Sequence, residues 1–165
     1  MKLVNFISKE LNDLMNKQIV KELRSGYIYL AMAAWAETQG LKGLAAFMRT
    51  HAEKEEYEHA MKFVEYILEA GGKVEYDTIE KVSTDYPDVE TVLKEAIAHE
   101  EHITNTIRNL MDLAQQKNDY NAYDMLNWFI QEQIEEENLF TDLYDAFKLS
   151  GRNLLMWDRN IKHPE

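Results

Sequence analysis

Residues 122–147 read AYDMLNWFIQEQIEEENLFTDLYDAF. Stepped alternately by three and four, this stretch places Ala122, Leu126, Phe129, Gln133, Glu136, Phe140, Leu143 and Phe147 on one helical face. The face is apolar at both ends and polar in its middle. A glutamate halfway along the line that should face a core is the feature from which the fold and the chemistry are read.

Three further stretches repeat the pattern. Met15, Ile19, Glu22, Gly26, Tyr29 and Ala33 form one stripe, and Met48, Ala52, Glu56, His59, Phe63, Tyr66 and Ala70 a second. Leu93, Ile97, Glu100, Thr104, Ile107, Met111 and Ala114 form the third. The spacing predicts helices over about 8–38, 42–70, 88–117 and 120–149, with a short fifth over 152–162. Gly40 and Gly43 separate the first two, Gly71-Gly72 stops the second, and Asp85 with Pro87 announces the third. Lys117-Asn118-Asp119 turns the chain into the fourth, which Ser150-Gly151 ends. The long connection 73–87 can run the length of a bundle, so the second and third helices can lie parallel. The expected architecture is all-α: a four-helix bundle with one long crossover and a short C-terminal helix, a single domain over 1–165.

Composition agrees and narrows the function. Six Gly and two Pro in 165 residues leave little punctuation for a β fold. Cysteine is absent, which excludes disulfides, Cys-based zinc sites and thiol chemistry and fits a reducing cytoplasm. The first residues, MKLVNFISKELND, do not read as a signal peptide, and no run has the ~20 apolar residues of a membrane span. A net charge of −12 disfavours nucleic acid and favours cations. A cytoplasmic protein with no nucleic-acid and no membrane partner is expected.

Four carboxylates pointing into one bundle at one depth are costly, because burying an unpaired charge costs several kcal/mol. No Lys or Arg lies on the four stripes to neutralise them. Two divalent metal ions would: four carboxylates carry −4 and two ions +4. Glu56 and His59 form an E-x-x-H pair on one helical face, able to bind one ion together. Carboxylates with a single imidazole suit iron, and less well zinc or manganese. Bundles of this kind take one Glu from each of two helices and an E-x-x-H from each of the other two. Here Glu22 and Glu100 are the single acids. The fourth helix offers Glu136 but has Leu139 three residues later, so a second ion would be poorer in protein ligands. An E-x-x-H alone in a Glu-rich helix would read as solvated surface; the four stripes together do not.

Other residues join the candidate set. Glu132 and Glu135 are three apart beside the Glu136 stripe, and with Glu55 they can hold a third metal ion, although the same acids can equally form a solvated face. Glu137 reads as surface. Tyr29, two turns beyond Glu22, can donate a hydrogen bond or an electron to the site, or simply fill the core. His51, His99, His102 and His163 have no comparable support; His99 should face away from Glu100. Trp35, Trp128 and Trp157 and the methionines read as packing, and no haem ligand pair is seen.

The segments MNKQIVKELRSGYIYLAMAAW (15–35), EEYEHAMKF (55–63), HEEHIT (99–104) and LNWFIQEQIEEENLF (126–140) resemble the four helices of bacterial and archaeal non-haem ferritins. The resemblance covers nearly the whole chain and its motifs are specific in combination. It implies the ferritin-like fold, a hollow homo-oligomeric shell of 24 subunits, and iron storage with ferroxidase activity: Fe(II) is oxidised by O2 (or H2O2) and kept as ferric oxyhydroxide. It also implies two Fe per subunit at a ferroxidase centre, with no haem. Carried over by motif, Glu22, Glu56 and His59 hold one iron. Glu56 bridges to a second held by Glu100 and Glu136, with Gln133 and Tyr29 beside the centre. Glu55, Glu132 and Glu135 match an extra iron site.

One departure stands out. Between Phe47 and Glu56 the chain holds one residue more than the family pattern, visible as two consecutive steps of four, Met48 to Ala52 to Glu56. An extra helical residue is usually absorbed as a π-bulge, and the direction of Glu55 depends on where. Leu139 sets the chain apart from bacterioferritins, which resemble a version with a second E-x-x-H. The internal glutamates set it apart from DNA-protecting mini-ferritins, and the lack of cysteine from rubrerythrin-like peroxidases. The competing functions are a non-storage di-iron oxidase or peroxidase of the same superfamily and a metal-free helical interaction protein.

Overall fold

A computed structural model describes residues 5–164; residues 1–4 and 165, which the single-domain reading takes in, lie outside the described residues. The elements are α1 (Lys9–Thr38), α2 (Lys42–Thr50), a π-helical turn (His51–Glu56), α3 (Tyr57–Glu69), α4 (Val89–Gln116), α5 (Tyr120–Leu149) and α6 (Leu154–Asn160). α2, the π turn and α3 run on without interruption as the second long rod. The last helix is shorter than the 152–162 expected, because Asn153 caps its start through the amide of Met156 and Ile161 is already extended.

Polar caps set the starts of the long helices. The side chains of Ser8, Asp88 and Asp119 accept from the amides of Leu11, Thr91 and Ala122 respectively. Each satisfies a donor that the first helical turn leaves free. Gly71, at φ +84°, ends the second rod in the left-handed region that glycine adopts without a Cβ penalty.

Two apolar clusters give the orientation of the rods. One joins the C-terminal half of α1 (Tyr29, Met32, Ala36) to Leu44, Met48, Val92, Leu93, Phe140 and Phe147. The other joins the N-terminal half of α1 (Leu11, Met15, Ile19) to Phe63, Ile67, Ile107, Leu126 and Phe129. The beginnings of the second and third rods therefore share one end of the bundle, and these rods are parallel. The connection 70–88 must travel the full length. Asn12 and Asn16 anchor its start, both donating to the carbonyl of Lys73 at 2.8 and 2.9 Å and accepting from the amides of Lys73 and Glu75. Tyr86 anchors its end, packing edge-on to Trp35 near the other end of α1.

The short helix α6 closes the first of these ends. Asp158 accepts from the amides of Gly43 (3.0 Å) and Leu44 (2.8 Å), capping α2, whose own N-cap Leu41 makes no side-chain cap bond. Gly43 is thus not a helix breaker: a Cβ there would lie 1.9 Å from the carbonyl oxygen of Asp158. Among the described residues, no helix is long and apolar enough to cross a membrane.

Candidate metal centre

Between the two apolar clusters the bundle interior turns polar. Glu22, Glu56, Glu100 and Glu136, one from each rod, are buried there, together with Gln18, Ser25, His51, His59 and Gln133. Each glutamate sits on the stripe that the heptad-like spacing gives it, so the same periodicity that buries Met15 or Phe140 also buries the acids. In α5 the eight stripe residues are the buried residues of the helix.

Ligand atoms converge in three overlapping groups, each within 4.8 Å of one another: Glu22, Glu56 and His59; His51, Glu56 and Glu100; and Glu55, His59, Glu132 and Glu136. Glu56 is common to the first two and His59 to the first and third. Glu136 spans the centre, with one oxygen 3.9 Å from His59 Nε2 and the other 3.2 Å from His51 Nε2. Glu135 is exposed and outside these groups, although it lines a cavity of about 390 Å³ with Glu55, Glu132 and Glu136. Glu137 is half-buried and accepts from the Thr104 hydroxyl at 2.6 Å.

Glu100 is held on both oxygens. Tyr29 donates to Oε1, and Gln133 donates to Oε2 at 3.2 Å and to Thr104 Oγ1 at 3.1 Å. Tyr29 is itself fixed by stacking on Phe140, with ring centroids 5.1 Å apart. Gln18 donates to Glu22 Oε1 at 2.7 Å. Among the described residues, four buried atoms at the heart of the site have no hydrogen-bond partner: Glu22 Oε2, His51 Nε2, His59 Nε2 and Glu136 Oε2. Orphaned donors and acceptors of this kind are rare in native interiors. Two oxygens and two imidazole nitrogens are the donor set that a divalent transition metal accepts.

The electrostatics follow from burial among like charges. Burial holds the Glu22 carboxyl above the usual carboxylate range, against the pull of His59 and Gln18. Burial, then Glu100, Glu22 and Glu136, push Glu56 well above it. Burial pushes Glu100 up to about 7, and burial with Glu100 as neighbour pushes Glu136 up to about 10. Burial opposes the charged form of His59, but the carboxylates of Glu132 and Glu22 outweigh it and its pKa is raised. Without a cation the cluster retains protons that a free carboxyl would have lost.

A family match and several relatives agree with this arrangement. The ferritin-like domain family matches residues 12–150. The chain belongs to the ferritin family. A bacterial non-heme ferritin of Campylobacter jejuni is 34% identical over 160 residues, covering 95% of both chains. A bacterial non-heme ferritin of Escherichia coli is 32% identical over 147 residues, covering 89% of this chain and 88% of the relative. An open-pore ferritin of the hyperthermophilic archaeon Archaeoglobus fulgidus superposes with a TM-score of 0.93 at 31% identity, covering 98% of this chain and all of that one. The ferritin-like bundle with a short C-terminal helix is therefore the fold.

The sequence reading of this ferritin needs correction at several residues. His51, given no support by pattern, is fully buried with Nε2 3.5 Å from Glu56 Oε1. The reason is the π turn at His51–Glu56, which takes up the additional residue. In a π turn, bonded i to i+5, residues five apart stack over one another, so His51 and Glu56 face the same way; in an α-helix they would diverge. His99 does turn from Glu100, but not to solvent: its Nε2 is 2.7 Å from Ser25 Oγ, and burial lowers its pKa to about 4. Trp128, read as packing, does pack edge-on against His59 and Phe129, but on the flank of the bundle, 38% exposed and with Lys62 Nζ 4.2 Å from its ring. Met156 is likewise exposed.

Proposed function

We propose that this ferritin oxidises Fe2+ with O2 between its four rods and stores the ferric product inside a closed shell of like subunits in the cytoplasm. Iron is both substrate and cargo. The observation that carries the reading is the convergence of Glu22, Glu56, Glu100 and Glu136, one from each rod, on buried, unpartnered ligand atoms around His59. The names of the relatives support the same reading.

Glu22, Glu56 and His59 receive the first Fe2+, and Glu56 with Glu100 and Glu136 the second. Tyr29 and Gln133 aim the two oxygens of Glu100. Each Fe2+ yields one electron, and O2 with two electrons and two protons becomes hydrogen peroxide. A proton is at hand on Glu136, whose carboxyl is pushed up to about 10 and retains it at neutral pH until a cation displaces it. The two apolar clusters seal the centre above and below. Glu55 and Glu132, with His59 and Glu136, hold a third ion on the outer side, and Glu135 sits on the rim of the cavity beside it. Assembly is supported by large apolar side chains on the outer faces, Tyr27, Leu30, Tyr57 and Tyr76 among them, which other copies would cover.

Aerobic Fe2+ loading followed by size-exclusion chromatography and iron counting tests the reading. Iron far beyond three ions per chain in a large particle is expected. A small oligomer saturating at two or three per chain would make the protein a non-storage di-iron oxidase or peroxidase. Glu56→Ala should abolish rapid oxidation in stopped flow while the helical content persists; an unchanged rate would overturn the assignment of the centre.

A further inference from the structure

We propose that His51 is a direct ligand of the second iron, supplying from the π turn the imidazole that Leu139 denies to α5. The inference rests on the di-iron reading above and adds a ligand to it. In the reading so far, the first ion has an imidazole, His59, and the second has carboxylates only. His51 Nε2, with oxygens of Glu56 and Glu100, forms one of the three ligand groups. It also lies 3.2 Å from Glu136 Oε2. Neither His51 Nε2 nor Glu136 Oε2 has a hydrogen-bond partner, and both residues are buried.

The proton on the ring can be located from its neighbours. His163, on the segment after α6, has Nδ1 2.6 Å from the carbonyl oxygen of Pro164. A carbonyl only accepts, so His163 carries its proton on Nδ1 and its Nε2 is a lone pair. That lone pair is 3.2 Å from His51 Nδ1, so His51 donates from Nδ1. Its Nε2 is then a second lone pair, aimed at the carboxylates of Glu56 and Glu136. Lone pairs facing one another need a cation between them: a proton in the metal-free cluster, a divalent metal ion in the loaded one. A metal-bound imidazole almost always donates its other N–H in this way, which fixes tautomer and ring plane. The ring plane is fixed a second time by edge contacts with Tyr29 and Phe140, at centroid distances of 4.8 and 4.9 Å. His163 is a positioning residue; His51 is the ligand.

The test is made anaerobically on the whole assembled protein with Fe2+ alone. X-ray absorption at two Fe2+ per chain should count two imidazoles per iron pair in the wild type and one in His51→Gln. Calorimetric titration of His51→Gln should show the weaker of the two binding constants reduced about ten-fold or more, with the stronger one retained. A single imidazole in the wild type, or the same count in both proteins, overturns the proposal. The wild-type count decides the matter even if the variant does not fold. If His51→Gln changes nothing while Glu56→Ala loses both ions, His51 is no ligand and the di-iron reading stands. A wild type that binds no Fe2+ overturns both.

Discussion

Tyr29 on α1 donates its phenolic hydrogen to Glu100 on α4, so that the two helices share one buried hydrogen bond at the level of the candidate metal centre. The bond favours the ionised carboxylate and works against the burial that pushes Glu100 up to about 7. Tyr29→Phe keeps the ring stacked on Phe140 and removes only the donor. The fold should survive at a cost of about 1–2 kcal/mol. Glu100 should hold its proton more tightly, so the rate of Fe2+ oxidation should fall several-fold at pH 6 and less at pH 8. Stopped-flow rates across that range check it; an equal loss at every pH would place the role of Tyr29 elsewhere.

The buried acids should make the metal-free protein less stable as pH rises. Glu100 and Glu136 have folded pKa values of about 7 and about 10, against an ordinary value of 4.5. A raised folded pKa means that the native state binds more protons, so the contribution is fully present below 4.5 and is lost as pH climbs through 7 for Glu100 and 10 for Glu136. The groups facing Glu136 are Glu100, Glu55, Glu132 and Glu22, with His51 and His59. Metal-free protein should therefore melt lower at pH 8 than at pH 5.5, beyond the trend of the exposed acids. Glu136→Gln should flatten the slope and exceed the wild type at pH 8. Thermal melts of the two proteins side by side provide the measurement, with a divalent metal restoring the wild type.

Iron binding should release protons for the same reason. Glu136, pushed up to about 10, is still protonated near neutrality, and a carboxyl group must lose its proton to become a ligand. Anaerobic addition of Fe2+ to a weakly buffered solution should acidify it, more per ion at pH 6, where Glu100 also holds its proton, than at pH 8. Glu136→Gln should release fewer protons than the wild type. Equal release by both proteins would show that Glu136 is ionised before the metal arrives.

Asp158 ties α6 to the start of α2 through two amides that no other side chain caps. Asp158→Ala should cost about 1 kcal/mol, as lost helix caps do, and expose the chain after Ser150 to protease. Asp158→Asn, which keeps an acceptor, should restore most of the protection. Gly43→Ala should loosen α6 more than Asp158→Ala does, because its Cβ would strike the backbone of Asp158 rather than a side chain. Limited proteolysis of the three variants ranks them.

Much of this was legible in the order of the residues, because burial in a bundle is periodic. The stripe of α5 follows from stepping by three and four, and with it the inward direction of Gln133 and Glu136. The additional residue before Glu56 is visible as two steps of four, and the π turn lies there. What the stepping hid is its consequence. A period that changes locally brings His51 onto the face of Glu56, and an α-helical template assigns that face to Ala52 alone. The signal was present in the spacing itself, a histidine five residues before a buried glutamate across a suspected bulge. The partners of Asp158 and His163 were not legible, since they depend on how a short terminal helix folds back over residues more than a hundred positions away. The place of Trp128 was not legible either, because an aromatic on a helix flank can pack beside a site as well as fill a core.

The acidic level separates the two apolar clusters formed by the described residues. Folding cooperativity in a bundle ordinarily travels through uninterrupted hydrophobic contact, and here that continuity is broken at mid-height. Without ions, the rods should have a seam there, with helical amides exchanging faster than those at either end. On the proposed function, a pair of cations gripping all four rods would turn two loosely coupled halves into one mechanical unit. Loading with the substrate would then stiffen the wall of the container that is to hold it.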